Sequence, residues 1–208
     1  MKKTIGSKGI SLIECINPRL TKYRVRFALA AYEDKEFGGG GVEFYELEYQ
    51  YKPKLETIVT DIIAAIPDEP MNLTEIATMA ELLGEEQIEP MRKALLHNIE
   101  AYDTSEAVNS FTLQGKQMWL PKETRVGLMN SLGIEKAAGK TETVLWFGNE
   151  SYILPIDTAM QMLSALELYA LDCYNVTAAH KADIEALTTV EDVVAYDYES
   201  DYPEKLNF

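Results

Sequence analysis

The residues that could do chemistry are few and scattered. Gly139-Lys140-Thr141 has the ending of a phosphate-binding loop, but one residue too many separates it from Gly133. The apolar pattern also runs a helix into a strand there, the reverse of the strand-to-helix order that aims amides and a helix dipole at phosphate. Gly38–Gly41 and Gly6-Ser7-Lys8-Gly9 lack a helix opening behind a parallel strand, and read as loops. His97 and His180 stand apart from any carboxylate or cysteine at metal-ligand spacing. Cys15 and Cys173 form no C-x-x-C and each sits in an apolar pattern, so both read as small buried hydrophobes of a reducing compartment. No G-x-S-x-G occurs, and a hydrolase would need convergent carboxylates that the sequence does not signal. Asp197, Glu199 and Asp201 alternate with tyrosines in the tail but lack the glycine and closing acid of a calcium loop, so the tail reads as solvated. The Asn-x-Ser/Thr triplets at Asn72, Asn149 and Asn175 read as cap, turn and chance. No catalytic, cofactor-binding or metal site is therefore expected, and the chain reads as a non-enzyme.

Trp119 and Trp146 remain, each at the centre of a short strand pair. An indole at such a place either anchors the core of a small unit or, if exposed, stacks on a sugar ring.

Composition narrows the partners. With 47% hydrophobic and 10% aromatic residues the chain has what a packed core needs. Its net charge of −15 disfavours nucleic acid, whose binding depends on lysine and arginine displacing counterions. The charge is uneven: Lys2, Lys3, Lys8, Arg19, Lys22, Arg24 and Arg26 face only Glu14 within residues 1–30. Such a dipole could orient neighbouring subunits, or its cations could simply coat strand faces. Met1-Lys2-Lys3 imitates a secretory n-region, yet Ser7, Lys8, Glu14 and Arg19 interrupt any apolar run behind it. No apolar stretch reaches the roughly 18 residues of a membrane span, so an unexported chain without a membrane partner is expected.

The elements that must position these residues fall into an α+β arrangement. Ile10–Ile16, Tyr23–Ala31 and Val42–Tyr51 are rich in β-branched and aromatic residues and predict an antiparallel meander, with Tyr45, Leu47 and Tyr49 on its packed face. Leu55, Ile58, Val59, Ile62, Ile63 and Ile66 keep helical spacing, so a helix there covers the sheet. Asn72 with Glu75 predicts a capped second helix that Gly84 ends, and Pro90 suits the first turn of a third. The expected division is 1–67 as meander plus helix, 68–104 as a helical linker and 105–208 as a second α+β domain.

That second domain predicts the order ββαββα. Ser110–Leu113 and Gln117–Leu120 flank Gln114-Gly115-Lys116; a helix follows Pro121, with Arg125, Leu128, Met129 and Leu132 on one stripe. Thr141–Phe147 and Ser151–Pro155 form a second hairpin around Gly148. From Asp157, as N-cap, to Leu187 there is neither proline nor glycine, which predicts a helix roughly 45 Å long. Ala159, Leu163, Leu166, Ala170, Cys173, Thr177, His180, Ile184 and Leu187 recur at alternating spacings of four and three, a seam for packing against the chain's own helices or another protein. Thr189 with Asp192 predicts a cap for a last short helix.

Residues 109–195, with Asn109-Ser110-Phe111-Thr112-Leu113, Lys116-Gln117-Met118-Trp119-Leu120, the helix over Thr124–Gly139 and the strand pair before the long helix, resemble a bacteriophage tail-fibre-associated domain family of unknown function. The stretch from Gly9-Ile10-Ser11-Leu12-Ile13-Glu14-Cys15 to Arg26 resembles the start of prophage-type proteins of gut bacteria. The resemblance implies a structural or tail-assembly role through protein contacts, with phage tail components or self-association as partner. It implies a place in the cytoplasm of a bacterial host, with association with the virion as the further option. The family carries no catalytic residues to transfer. The alternative function is recognition of a host-surface glycan by an exposed Trp119 or Trp146.

Overall fold

The computed structural model describes residues 3–6, 9–34 and 39–208. Lys2, Lys8 and Gly38 therefore lie outside the described residues. The fold is α+β. Four strands open it: β1 (Thr4–Gly6), β2 (Ile13–Asn17), β3 (Lys22–Asp34) and β4 (Gly39–Tyr49). They form one antiparallel sheet in the order β1-β4-β3-β2, which is the expected meander with a short strand added along β4. Gly39–Gly41, expected in a loop, belongs to β4. The reason at Gly41 is close approach: a Cβ there would lie 2.5 Å from the Gly6 carbonyl of β1.

Three helices follow, α1 (Leu55–Ala65), α2 (Leu73–Leu83) and α3 (Ile88–Thr104). The Asn72 side chain accepts hydrogen bonds from the Thr74 and Glu75 amides, and Gly84 ends α2 in the left-handed region. Ile58 and Ile62 of α1, Ile76 and Met79 of α2, and Leu95 and Ile99 of α3 bury into one cluster with Val25 and Phe27 of the sheet. Helices expected to link two domains thus complete the core of the first. Asn98 fixes the turn between α1 and α2, accepting from the Met71 amide at 2.6 Å and donating to its carbonyl at 2.9 Å. His97 holds the same turn through Nε2 and the Glu69 carbonyl, 3.0 Å apart.

Tyr45, Leu47 and Tyr49 pack on that core, as expected. Across the other face, Lys22, Arg24 and Arg26 pair with Glu48, Glu46 and Glu14 at 2.9–3.2 Å. These three cations thus coat a strand face, one of the two arrangements expected for them, and neighbouring strands neutralise them there.

The remaining elements are β5 (Phe111–Leu113), β6 (Lys116–Met118), α4 (Lys122–Ala137), β7 (Glu142–Phe147), β8 (Glu150–Pro155), α5 (Ile156–Ala186) and α6 (Val190–Ala195). This is the ββαββα order. Gln114 and Gly115 both have positive φ, 51° and 81°, the mirror-image turn that suits the twist of a two-residue hairpin. Asp157 lies inside the first turn of α5 and not at its N-cap, where its carboxylate takes a bond from Lys136 at 2.6 Å.

The chain divides into two compact units. The first comprises Met1–Ala101 with His180–Tyr198, and the second Tyr102–Ala179 with Glu199–Phe208. In the second, Phe111, Leu113, Leu132, Leu145, Leu163 and Leu166 centre the core. The tail acids Asp197, Glu199 and Asp201 are exposed, as expected, but the residues after them are bonded to β5. The Thr112 amide donates to the Leu206 carbonyl, the Phe208 amide to Thr112, and the Gln114 amide to Phe208, at 2.8–2.9 Å, so residues 206–208 run parallel to β5 through a single bridge between Thr112 and Asn207. Phe208 meets Phe111 edge-on, and Tyr202 meets Tyr102 likewise. Among the described residues no helix is long and apolar enough to cross a membrane.

Candidate functional site

Both tryptophans of the chain line one cleft of about 480 Å³ in the second unit. One wall is Lys116–Leu120, that is β6 and the two residues after it. The other is Trp146–Glu150, the turn of the β7–β8 ribbon. Alternation along β7 decides which side chains face where: Thr143 and Leu145 are buried, Val144 and Trp146 exposed. Gly148, at φ 61°, opens the two-residue turn, where a glycine suits the first central position.

The two indoles are held differently. Trp146 is 66% exposed. Trp119 is half-buried, with the Arg125 guanidinium 5.0 Å from its ring centre and the Tyr169 ring edge-on at 6.5 Å. Arg125 is itself 4% exposed; Nη1 donates to the Leu120 carbonyl at 2.6 Å and Nε to Glu167 at 2.7 Å. At one end of the cleft Lys116 Nζ lies 2.5 Å from both oxygens of Glu150, and the Tyr152 hydroxyl donates to the same carboxylate at 3.0 Å. Its hydrogen bond to Glu150 raises the Lys116 ammonium above its ordinary value, and the same bond holds Glu150 below the usual carboxylate range.

The seam of α5 is buried, each part within its own unit. In the second unit Ala159, Leu163 and Leu166 join the central core, Ala170 is half-buried, and Cys173 packs with Val108 and Tyr169. Thr177 donates to Asp103 at 2.7 Å and its oxygen lies 2.7 Å from the Tyr202 hydroxyl. In the first unit Ile184 is fully buried and His180 Nδ1 lies 2.7 Å from the Tyr196 hydroxyl. The seam is therefore internal. Burial raises the Cys173 thiol above its ordinary value, whereas Cys15, expected inside, is exposed on β2.

The surface of the second unit shows apolar groups that the seam pattern did not point to. Val144 and Ile153 are directly opposed on the ribbon and 52% and 69% exposed, beside Trp146. Leu168, Leu171 and Tyr174 of α5 are exposed as well, spaced to share a helix face. The helix stripe was legible as a second apolar line, out of phase with the first. Among the described residues no three His, Cys, Asp or Glu side chains are grouped to hold a metal ion. No protein-family model, curated protein or solved structure matches this chain.

Proposed function

We propose that the protein is a non-enzymatic phage or prophage protein, structural or tail-assembly related, that acts through protein contacts. Its partners on this reading are phage tail components or further copies of itself, met in the cytoplasm of a bacterial host and carried in part into the virion. The observation that carries it is the outward face of the β7–β8 ribbon, where Val144, Trp146 and Ile153 adjoin and are each more than half exposed. The resemblance of residues 109–195 to a tail-fibre-associated family supports the setting. Sedimentation velocity of the full chain, with capture from a phage-producing lysate and mass spectrometry, tests it. A defined oligomer or an identified tail component is expected, lost in Ile153→Glu. A monomer that retains no tail component counts against it.

A second reading, recognition of a host-surface glycan, is favoured by one specific observation: Trp119 and Trp146 share a cleft with amide and charged side chains.

A further inference from the structure

We infer that the cleft between Trp119 and Trp146 binds an uncharged pyranose, an inference that rests on the glycan reading and narrows it to one site and one ligand class. The volume, about 480 Å³, is that of a small-ligand site. The chain has two tryptophans in 208 residues and both line this cleft, an arrangement no core requirement explains for Trp146, which is 66% exposed. An indole face carries partial negative charge. The axial C–H groups of a pyranose carry the opposite partial charge, so the ring's apolar face lies on an indole while its hydroxyls point outward. Those hydroxyls need both donors and acceptors, and the Gln117 and Asn149 amides supply both.

Charge selects among flat ligands. Lys116 and Glu150 neutralise each other at 2.5 Å, so the cleft offers polar groups without net charge. The chain as a whole carries −15, which repels an acidic sugar and equally a nucleotide phosphate. Trp119 is already fixed from behind by Arg125, so little side-chain freedom is lost there on binding. Trp146 is the exposed partner and should dominate the ligand's contact area.

The test is saturation-transfer difference NMR on the full chain with methyl β-D-glucopyranoside, methyl β-D-galactopyranoside, N-acetylglucosamine and lactose, and with N-acetylneuraminic acid as the charged arm. Transfer to the ring C–H protons of at least one neutral sugar is expected, with none to the acidic sugar. Trp146→Ala should weaken binding about tenfold. Ile134→Ser, an exposed change on α4 away from the cleft, should leave it unaltered. Circular dichroism confirms that each variant is folded. No transfer to any neutral sugar, preference for the acidic one, or unchanged affinity in Trp146→Ala overturns the inference. A glycan array separates the two levels: array binding that survives Trp146→Ala and Trp119→Phe refutes this site and spares the glycan reading, while a silent array ends both.

Discussion

Replacing Arg125 by methionine keeps the aliphatic stem and removes the guanidinium, so it isolates what that one group does behind the cleft. Three interactions go. The Leu120 carbonyl loses a 2.6 Å charge-assisted bond in a buried position, worth about 1–2 kcal/mol. Glu167 loses its partner, but its side chain is 39% exposed and rehydrates, so that loss is at most about 1 kcal/mol. The cation over Trp119 contributes about 1 kcal/mol. Relief of a desolvated charge offsets part of the total, and the net expected cost is about 2 kcal/mol. Both tryptophans lie in the second unit, so indole fluorescence during urea unfolding reads that unit alone. With a slope of about 2 kcal/mol per molar, the midpoint should fall by about 1 M urea. Glu167→Gln should move it by less than half as much. A midpoint within about 0.2 M of the parent for Arg125→Met, or a larger loss for Glu167→Gln than for Arg125→Met, would refute the claim that this guanidinium holds the Trp119 wall.

In the first unit, Glu75 accepts hydrogen bonds from the amides of Ala28 and Leu29 at 2.9 and 2.8 Å, closing a bulge in which Ala28 has φ 52°. Glu75→Ala leaves both amides without that acceptor and should cost about 2–3 kcal/mol in chemical unfolding followed by far-UV circular dichroism, whereas Ala28→Gly should stabilise by up to about 1 kcal/mol. Burial raises the Glu75 carboxyl above its ordinary value, against the lowering effect of the two amides. Its titration therefore favours folding below the unfolded carboxyl's pKa, and that contribution is lost as pH rises through the folded one. The stability of the parent relative to Glu75→Gln should accordingly fall between mildly acidic and neutral pH, and a rising difference would contradict the sign. Gly115→Ala, at φ 81°, should destabilise the β5–β6 hairpin by about 1–2 kcal/mol although nothing lies within 4 Å of its Cβ; a neutral result by thermal melting would show that the turn relaxes. Thr177→Val removes the hydroxyl that bridges Asp103 and Tyr202 and should cost about 1–2 kcal/mol, with a double-mutant cycle against Tyr202→Phe giving a coupling of at least about 0.5 kcal/mol.

Much of the fold was legible because local chemistry and tertiary packing agree. Asn72, Gly84, Gly139 and Thr189 act as helix-end residues where their types predict, and the ββαββα order follows from alternation and turn residues. What escaped depends on pairing between distant segments. Gly41 looks like a loop residue until β1 lies against it. Glu75 has the spacing to cap its own helix, yet its carboxylate goes to β3, because the bulge there leaves two amides facing it. The acid- and tyrosine-rich segment near the end reads as solvated by composition; Asp197, Glu199 and Asp201 are exposed, but only the long-range bonds to Thr112 and Thr177 reveal that residues 202–208 are tied to the rest of the unit. The tryptophans were singled out by type, but their convergence needed β6 and the β7–β8 turn to meet, which no local pattern encodes.

The ribbon itself explains why the surface signal was easy to misread. Thr143, Leu145 and Tyr152 face inward and are buried, while Val144, Trp146 and Ile153 face outward and are exposed, so Thr143–Phe147 and Tyr152–Leu154 read as near-continuous apolar runs. A run of that kind ordinarily marks a strand covered on both faces, since one-sided burial would select polar residues at alternate positions. Here the core covers one face. Apolar groups directly opposed on the other cost nothing in folding, but in solution they favour association, and an antiparallel pair could meet the same stability with threonine or lysine outside. The outward Val144, Trp146 and Ile153, like the exposed Leu168, Leu171 and Tyr174 of α5, are thus residues whose types the core does not require, and on the ribbon they adjoin one another.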